Sequence, residues 1–161
     1  MRRVALMMST VALAVSAVAL GAQAPNFTGK WTMVPDPNAA AAGGRGGFGG
    51  FGQEFTATQD ANTLTITRTT QNGETKSVYN LDGSDSKNTT QGRNGAQEVV
   101  SHAKWDAGKL NISTTRDFGG TPSTTVQTLS IDASGNLIVS TTAPGRNGGD
   151  PTTRVTTYKK G

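Results

Sequence analysis

Asp60-Ala61-Asn62-Thr63-Leu64, Asp106-Ala107-Gly108-Lys109-Leu110 and Asp132-Ala133-Ser134-Gly135-Asn136-Leu137 write one short phrase three times in a single chain. Each follows an alternating stretch and opens another, over 63–70, 109–115 and 136–142, so each reads as the tight turn of a β-hairpin. Thr63, Thr65, Thr67 and Thr69 interleave with Leu64, Ile66 and Arg68. A period of two sends successive side chains to opposite faces and marks a half-buried strand. Beyond residue 24 no window carries a helical stripe, and the class is all-β.

Working outward from the three turns, the pattern predicts strands over 28–34, 53–59, 63–70, 75–80, 86–90, 97–105, 109–117, 124–131, 136–142 and 152–159. The stretch 86–90 is the weakest of these, so ten is an upper count. Short connections make consecutive strands antiparallel neighbours. A meander of eight to ten such strands curls, and closure into an up-and-down barrel removes its exposed edges. A two-sheet β-sandwich is the alternative.

The first 24 residues read as an address. Met1-Arg2-Arg3 gives a positive start, Val4 to Leu20 an apolar run, and Ala22-Gln23-Ala24 a small-x-small processing site. The expectation is a cleaved signal peptide over 1–24 and a periplasmic or secreted protein with no stable membrane span after cleavage. Taking 24 from 161 residues leaves 137, enough for one barrel domain over 25–161. Two of the 15 basic residues leave with the leader, and 13 remaining against 11 acidic give a net charge of +2. So small a charge, without a Lys/Arg run, argues against nucleic acid as a partner. With no cysteine, disulfides and thiol chemistry are excluded.

Strand parity sorts the loops. The three Asp-Ala turns and the 81–85 connection share one end, the base, with Asp60, Asp82, Asp85, Asp106 and Asp132. The other end, the mouth, takes the connections rich in glycine, including the long stretch 35–52, which reads as a flexible Gly-rich loop. All six arginines beyond the leader belong to that end. Arg45, Arg93 and Arg146 lie on its loops, and Arg68, Arg116 and Arg154 on the adjoining strand segments. Guanidinium groups around an open mouth attract a carboxylate, sulfate or phosphate. Asp36, Glu54, Glu74, Asp117 and Asp150 at the same end oppose that field. Leu64 and Ile66 share a face with Arg68, and Leu110 and Ile112 with Thr114 and Arg116, so this face turns from apolar to polar towards the mouth. The barrel is then either filled below and wet above, or lined along its length by a small amphiphile.

Asn26-Phe27-Thr28-Gly29-Lys30-Trp31-Thr32 resembles the opening strand of the lipocalins and of the avidin group, where a Gly-x-Trp motif begins the barrel. The resemblance implies a small exported bacterial lipocalin-like barrel. It also implies structural roles for Gly29 and Trp31: close approach at the glycine, and a tryptophan filling the base beneath a cationic side chain from a late strand. Lys159 or Lys160 is the candidate for that cover.

Catalytic phrases are absent. His102 is the only histidine, which with no cysteine cannot build a common zinc site, and no Ser-x-x-Lys or Gly-x-Ser-x-Gly occurs. Asp82-Gly83-Ser84-Asp85 is more simply a turn than a calcium loop. The expectation is no enzyme, no cofactor and no metal. It is instead a barrel that binds a small anionic or amphiphilic ligand through Arg68, Arg116, Arg154, Arg93 and Arg146. The competing class is an extracytoplasmic interaction or hydrolase-inhibitor protein with an occluded barrel.

Overall fold

Two of the three Asp-Ala phrases close their hairpins through their own aspartate carboxylate. Asp60 donates its amide to Thr63 O at 3.0 Å, and its carboxylate accepts from the amides of Asn62 and Thr63 and from the Thr63 hydroxyl. Asp132 works alike, its carboxylate taking the amides of Ser134 and Asn136 and the Asn136 side chain. Between them, Asp106 faces Lys109 across a two-residue turn in which Ala107 and Gly108 hold φ of 46° and 76°. Two positive φ values give the twist that a right-handed hairpin needs.

The computed structural model describes residues 24–36, 50–70, 73–92, 95–117, 120–145 and 148–161. Ten strands follow one another: β1 (Gly29–Met33), β2 (Glu54–Gln59), β3 (Thr63–Thr70), β4 (Gly73–Asn80), β5 (Asp82–Gly92), β6 (Gly95–Asp106), β7 (Lys109–Asp117), β8 (Pro122–Ile131), β9 (Leu137–Ala143) and β10 (Thr152–Lys160). They form one antiparallel sheet in the order β4-β3-β2-β1-β10-β9-β8-β7-β6-β5. Pairing of β1 with β10, Trp31 opposite Lys160, bends the meander into a nearly closed barrel. The expected leader lies outside the described residues except for Ala24.

The remaining gap falls between β4 and β5, and side chains bridge it. Val78 N–H donates to Asn88 Oδ1 at 2.7 Å, while Asn88 Nδ2 donates back to Val78 O at 2.9 Å. One step lower, Asn80 N–H donates to Ser86 Oγ and Asn80 Nδ2 to Asp85 O. These groups answer the edge that an unclosed sheet would otherwise expose. They also explain why 86–90 reads as a weak strand. Its inward residues are polar because they serve the seam, and the true strand extends over Asp82–Gly92 with Leu81 alone as its link to β4.

Inside, the lower half is dry. Leu64, Ile66, Leu110, Ile112, Leu129, Leu137 and Val139 are at most 1% exposed. The base is covered by the segment ahead of β1. Phe27 N–H donates to Gln59 Oε1, Gln59 Nε2 to Pro25 O, and Phe27 stacks on Trp105 with centroids 5.7 Å apart. Trp31 is buried there, its Nε1 donating to Phe27 O at 2.8 Å, and Lys160 Nζ lies 5.8 Å from its ring centroid. Gly29 makes that cover possible. With φ of 150°, it leaves space where a Cβ would stand 2.5 Å from Lys160 Cε.

On the outside, Lys30, Glu54, Lys76, Lys87, Glu98 and Lys104 are exposed, and Lys30 pairs with Glu54 at 3.0 Å. Charges of this kind are costly on a lipid-facing barrel wall. No helix among the described residues is long and apolar enough to cross a membrane.

Candidate functional site

On five strands a single inward step separates apolar interior from polar. Ile66 is followed by Arg68 on β3, Ile112 by Thr114 on β7 and Val139 by Thr141 on β9. Ala103 is preceded by Ser101 on β6, and Leu129 by Gln127 on β8. Each apolar member is at most 1% exposed. Above that plane lies a cavity of about 180 Å³ opening towards the mouth. Its wall takes Arg68, Ser77 and Tyr79 from β3 and β4, and Asn88 and Thr90 from β5. Val99, Ser101, Thr114 and Arg116 come from β6 and β7, and Ser123, Thr125, Gln127 and Thr141 from β8 and β9.

The missing part of the ring is supplied by a strap. Gly50-Phe51-Gly52 folds inward at the end of the glycine-rich stretch, and Phe51 is 4% exposed. Tyr158 on β10 holds it, since its hydroxyl accepts the Phe51 amide and donates to Gly52 O, both at 2.9 Å. Gly50 N–H donates to Thr141 Oγ1, and a Cβ at Gly50 would collide with the Tyr158 hydroxyl. The rings of Phe51, Phe55 and Tyr158 meet edge to face in sequence at 5.1 and 5.0 Å. Within the expected loop 35–52, Phe51 is therefore packed interior between a half-buried Gly50 and an exposed Gly52, and 37–49 lie outside the described residues.

Arg68 and Arg116 thus stand in one cavity, half-buried and exposed respectively. Among the described residues neither joins an ion pair; those formed are Lys30 with Glu54, Lys87 with Glu98 and His102 with Asp85. Among the described residues the cavity wall carries no carboxylate. Burial pushes the Tyr79 phenol above its usual range, opposed by the Ser77 hydroxyl and then by the positive charges of Arg68 and Arg116. Both guanidinium groups are thus felt at one phenol. The Tyr158 phenol is raised by burial too, against the Phe51 amide and the charge of Arg68. Each phenol stays protonated at neutral pH and able to donate a hydrogen bond.

Arg154 is not brought to this wall. It pairs in register with Thr141, but the strap bonded to Thr141 and Tyr158 fills the wall in front of β10. Arg93, Arg146 and Arg45 lie outside the described residues. Asp117 alternates outward from Arg116, and Glu54 is engaged by Lys30, so neither acid enters the cavity. His102 sits on the outer face of β6, its Nδ1 3.4 Å from Asp85 Oδ1 and from Gly83 O. Asp82-Gly83-Ser84-Asp85 forms the bulge where β5 meets β6, and no cluster of three potential metal ligands occurs among the described residues.

Sequence reasoning missed Phe51, Tyr79, Asn88 and Gln127. Alternation through Leu129 and Leu64 could have placed Gln127, and pairing of β3 with β4 could have placed Tyr79. Phe51 carries no periodic signal, and Asn88 is distinguished only by closing the seam. Two guanidinium groups, the Tyr79 phenol and several hydroxyls make this cavity wall rich in hydrogen-bond donors. No known protein-family model matches the chain, and comparison with curated proteins finds no significant match.

Proposed function

We propose that this protein is an exported, lipocalin-like barrel that binds a small anion in its upper cavity, the negative charge lying between Arg68 and Arg116. The observation that carries the reading is the placing of two guanidinium groups, without a carboxylate partner among the described residues, on one cavity wall. Trp31 under Lys160 at a plugged base supports the lipocalin-like reading, since the Gly-x-Trp resemblance implies that arrangement. Of the two occupants suggested by the sequence, the compact anion is favoured over the amphiphile. The packed lower half leaves an alkyl chain no course below Ile66, Ile112 and Leu129. Binding rather than catalysis is the role, and export through the 1–24 leader belongs to the same reading.

Calorimetric titration with inorganic phosphate tests it. Arg68→Ala and Arg116→Ala should each weaken binding about 10-fold, which is about 1.4 kcal/mol. Each should also flatten the dependence on ionic strength, because charge pairs at an open mouth are screened. Equal affinity in the unaltered protein and the double variant would sink the reading.

A further inference from the structure

Several groups on the cavity wall have hydrogen-bonding capacity that the fold does not use. Thr90, Ser123, Thr125 and Gln127 line it without a side-chain hydrogen bond to any described residue. By contrast Ser101 is bonded to Thr114 at 2.8 Å, and Asn88 commits one donor and one acceptor to Val78. Every fully buried side-chain polar atom among the described residues is satisfied. The spare capacity is therefore gathered where solvent or a ligand can reach it.

We infer that the occupant is a compact polyhydroxylated anion, a carboxylate or phosphate carried on a hydroxyl-bearing body of sugar size. This rests on the reading just proposed and adds what lies behind the charge. Three features support it. The spare hydroxyls and the Gln127 amide offer donors and acceptors to a body with several hydroxyl groups. An aliphatic body would cover those groups without pairing them, and unpaired polar groups are what make a site reject the analogue that lacks a hydroxyl. The second feature is size. About 180 Å³ corresponds to roughly six water volumes at ~30 Å³ each, more than a bare inorganic anion fills and less than a long acyl chain needs. The third is Phe51, whose ring gives the polar wall an apolar neighbour on the strap side of the cavity. A sugar ring presents the same pair of surfaces, with C–H groups on its face and hydroxyls at its rim. The ring then lies against Phe51, with its hydroxyls towards Thr125 and Gln127 and its charge towards the mouth.

The test is a calorimetric panel on the unaltered protein, unfolded and refolded to free it of copurified ligand: glucuronate, glucose 6-phosphate, hexanoate and inorganic phosphate. Glucuronate or glucose 6-phosphate should bind at least 10-fold tighter than both hexanoate and phosphate, and whichever leads identifies the anionic group. In Thr125→Val/Gln127→Leu the ratio of glucuronate to hexanoate affinity should collapse towards one. Hexanoate binding as tightly as glucuronate in the unaltered protein overturns the inference and leaves the anion site standing. Failure of all four probes overturns both.

Discussion

Tyr158 makes two hydrogen bonds to the strap with one hydroxyl, and its ring is fully buried. Removing that oxygen leaves the buried Phe51 amide without its partner and frees the Gly52 carbonyl at the surface. An unsatisfied buried group costs about 1–3 kcal/mol, more than the net worth of the bond itself. Tyr158→Phe should therefore lower the midpoint of thermal unfolding by several degrees. Amide exchange at Phe51 should accelerate while exchange at Trp31 and Leu110 stays slow. An unchanged Phe51 amide would mean that ring packing, and not the hydroxyl, holds the strap. Nothing in the sequence marks this contact, because Phe51 and Tyr158 are 107 positions apart and Phe51 sits among glycines.

At the scale of elements, what alternation controls was legible and what replaces a ladder was not. Leu64, Ile66, Leu110 and Ile112 face inward as their spacing requires, and the Asp-Ala phrases fall at hairpins because the Asp60 and Asp132 carboxylates each accept several turn amides while Ala107 and Gly108 take the two positive φ values of a tight turn. Arg68 and Arg116 were legible as inward residues near the mouth for the same reason. Arg154 was not separable from them, since parity knows nothing of a strap arriving from elsewhere in the chain. The seam was hidden too. Ser86, Asn88 and Thr90 lack an apolar stripe because Asn88 and Thr90 line a polar cavity and Ser86 and Asn88 meet β4 through their side chains. If Asn88 is the clasp, Asn88→Ala should cost about 1–3 kcal/mol by stripping both bonds from Val78. It should speed exchange at the Val78 amide. Asn88→Asp should not rescue it, since the acid keeps the acceptor for Val78 N–H but sets oxygen against Val78 O. Full protection of Val78 in either variant would show that another contact closes the barrel.

Across the whole molecule, the ionisable groups that folding perturbs are sorted by position, acids at the base and phenols in the interior. Bonds from the Asn62 and Thr63 amides, and then from the Thr63 hydroxyl, hold Asp60 below 3.8. Ser84 does the same for Asp82, and Asn136, with help from the Ser134 and Gly135 amides, for Asp132. A carboxylate depressed by folding adds stability that is complete above its unfolded value and is lost as pH falls through the folded one. The acid limb should therefore begin near pH 3.8 and start at the base turns. Tyr79 and Tyr158 are raised above 10.0, each chiefly by burial. Their neutral forms are favoured by the fold, so their contribution is complete below the unfolded value and disappears as pH rises through the folded one. Plotted against pH, the unfolding midpoint should be level between about 4 and 10 as far as these groups are concerned, and should fall on both sides. Asp60→Asn/Asp132→Asn should shallow the acid limb alone, and Tyr79→Phe the alkaline limb alone. Because Tyr79 also lines the cavity near both arginines, a bound anion that offsets their charge should push the phenol further up, extend the alkaline limb to higher pH and raise the plateau beside it. A plateau that does not rise with phosphate in the unaltered protein, but whose limbs respond to these substitutions as stated, would separate a sound fold from a wrong ligand.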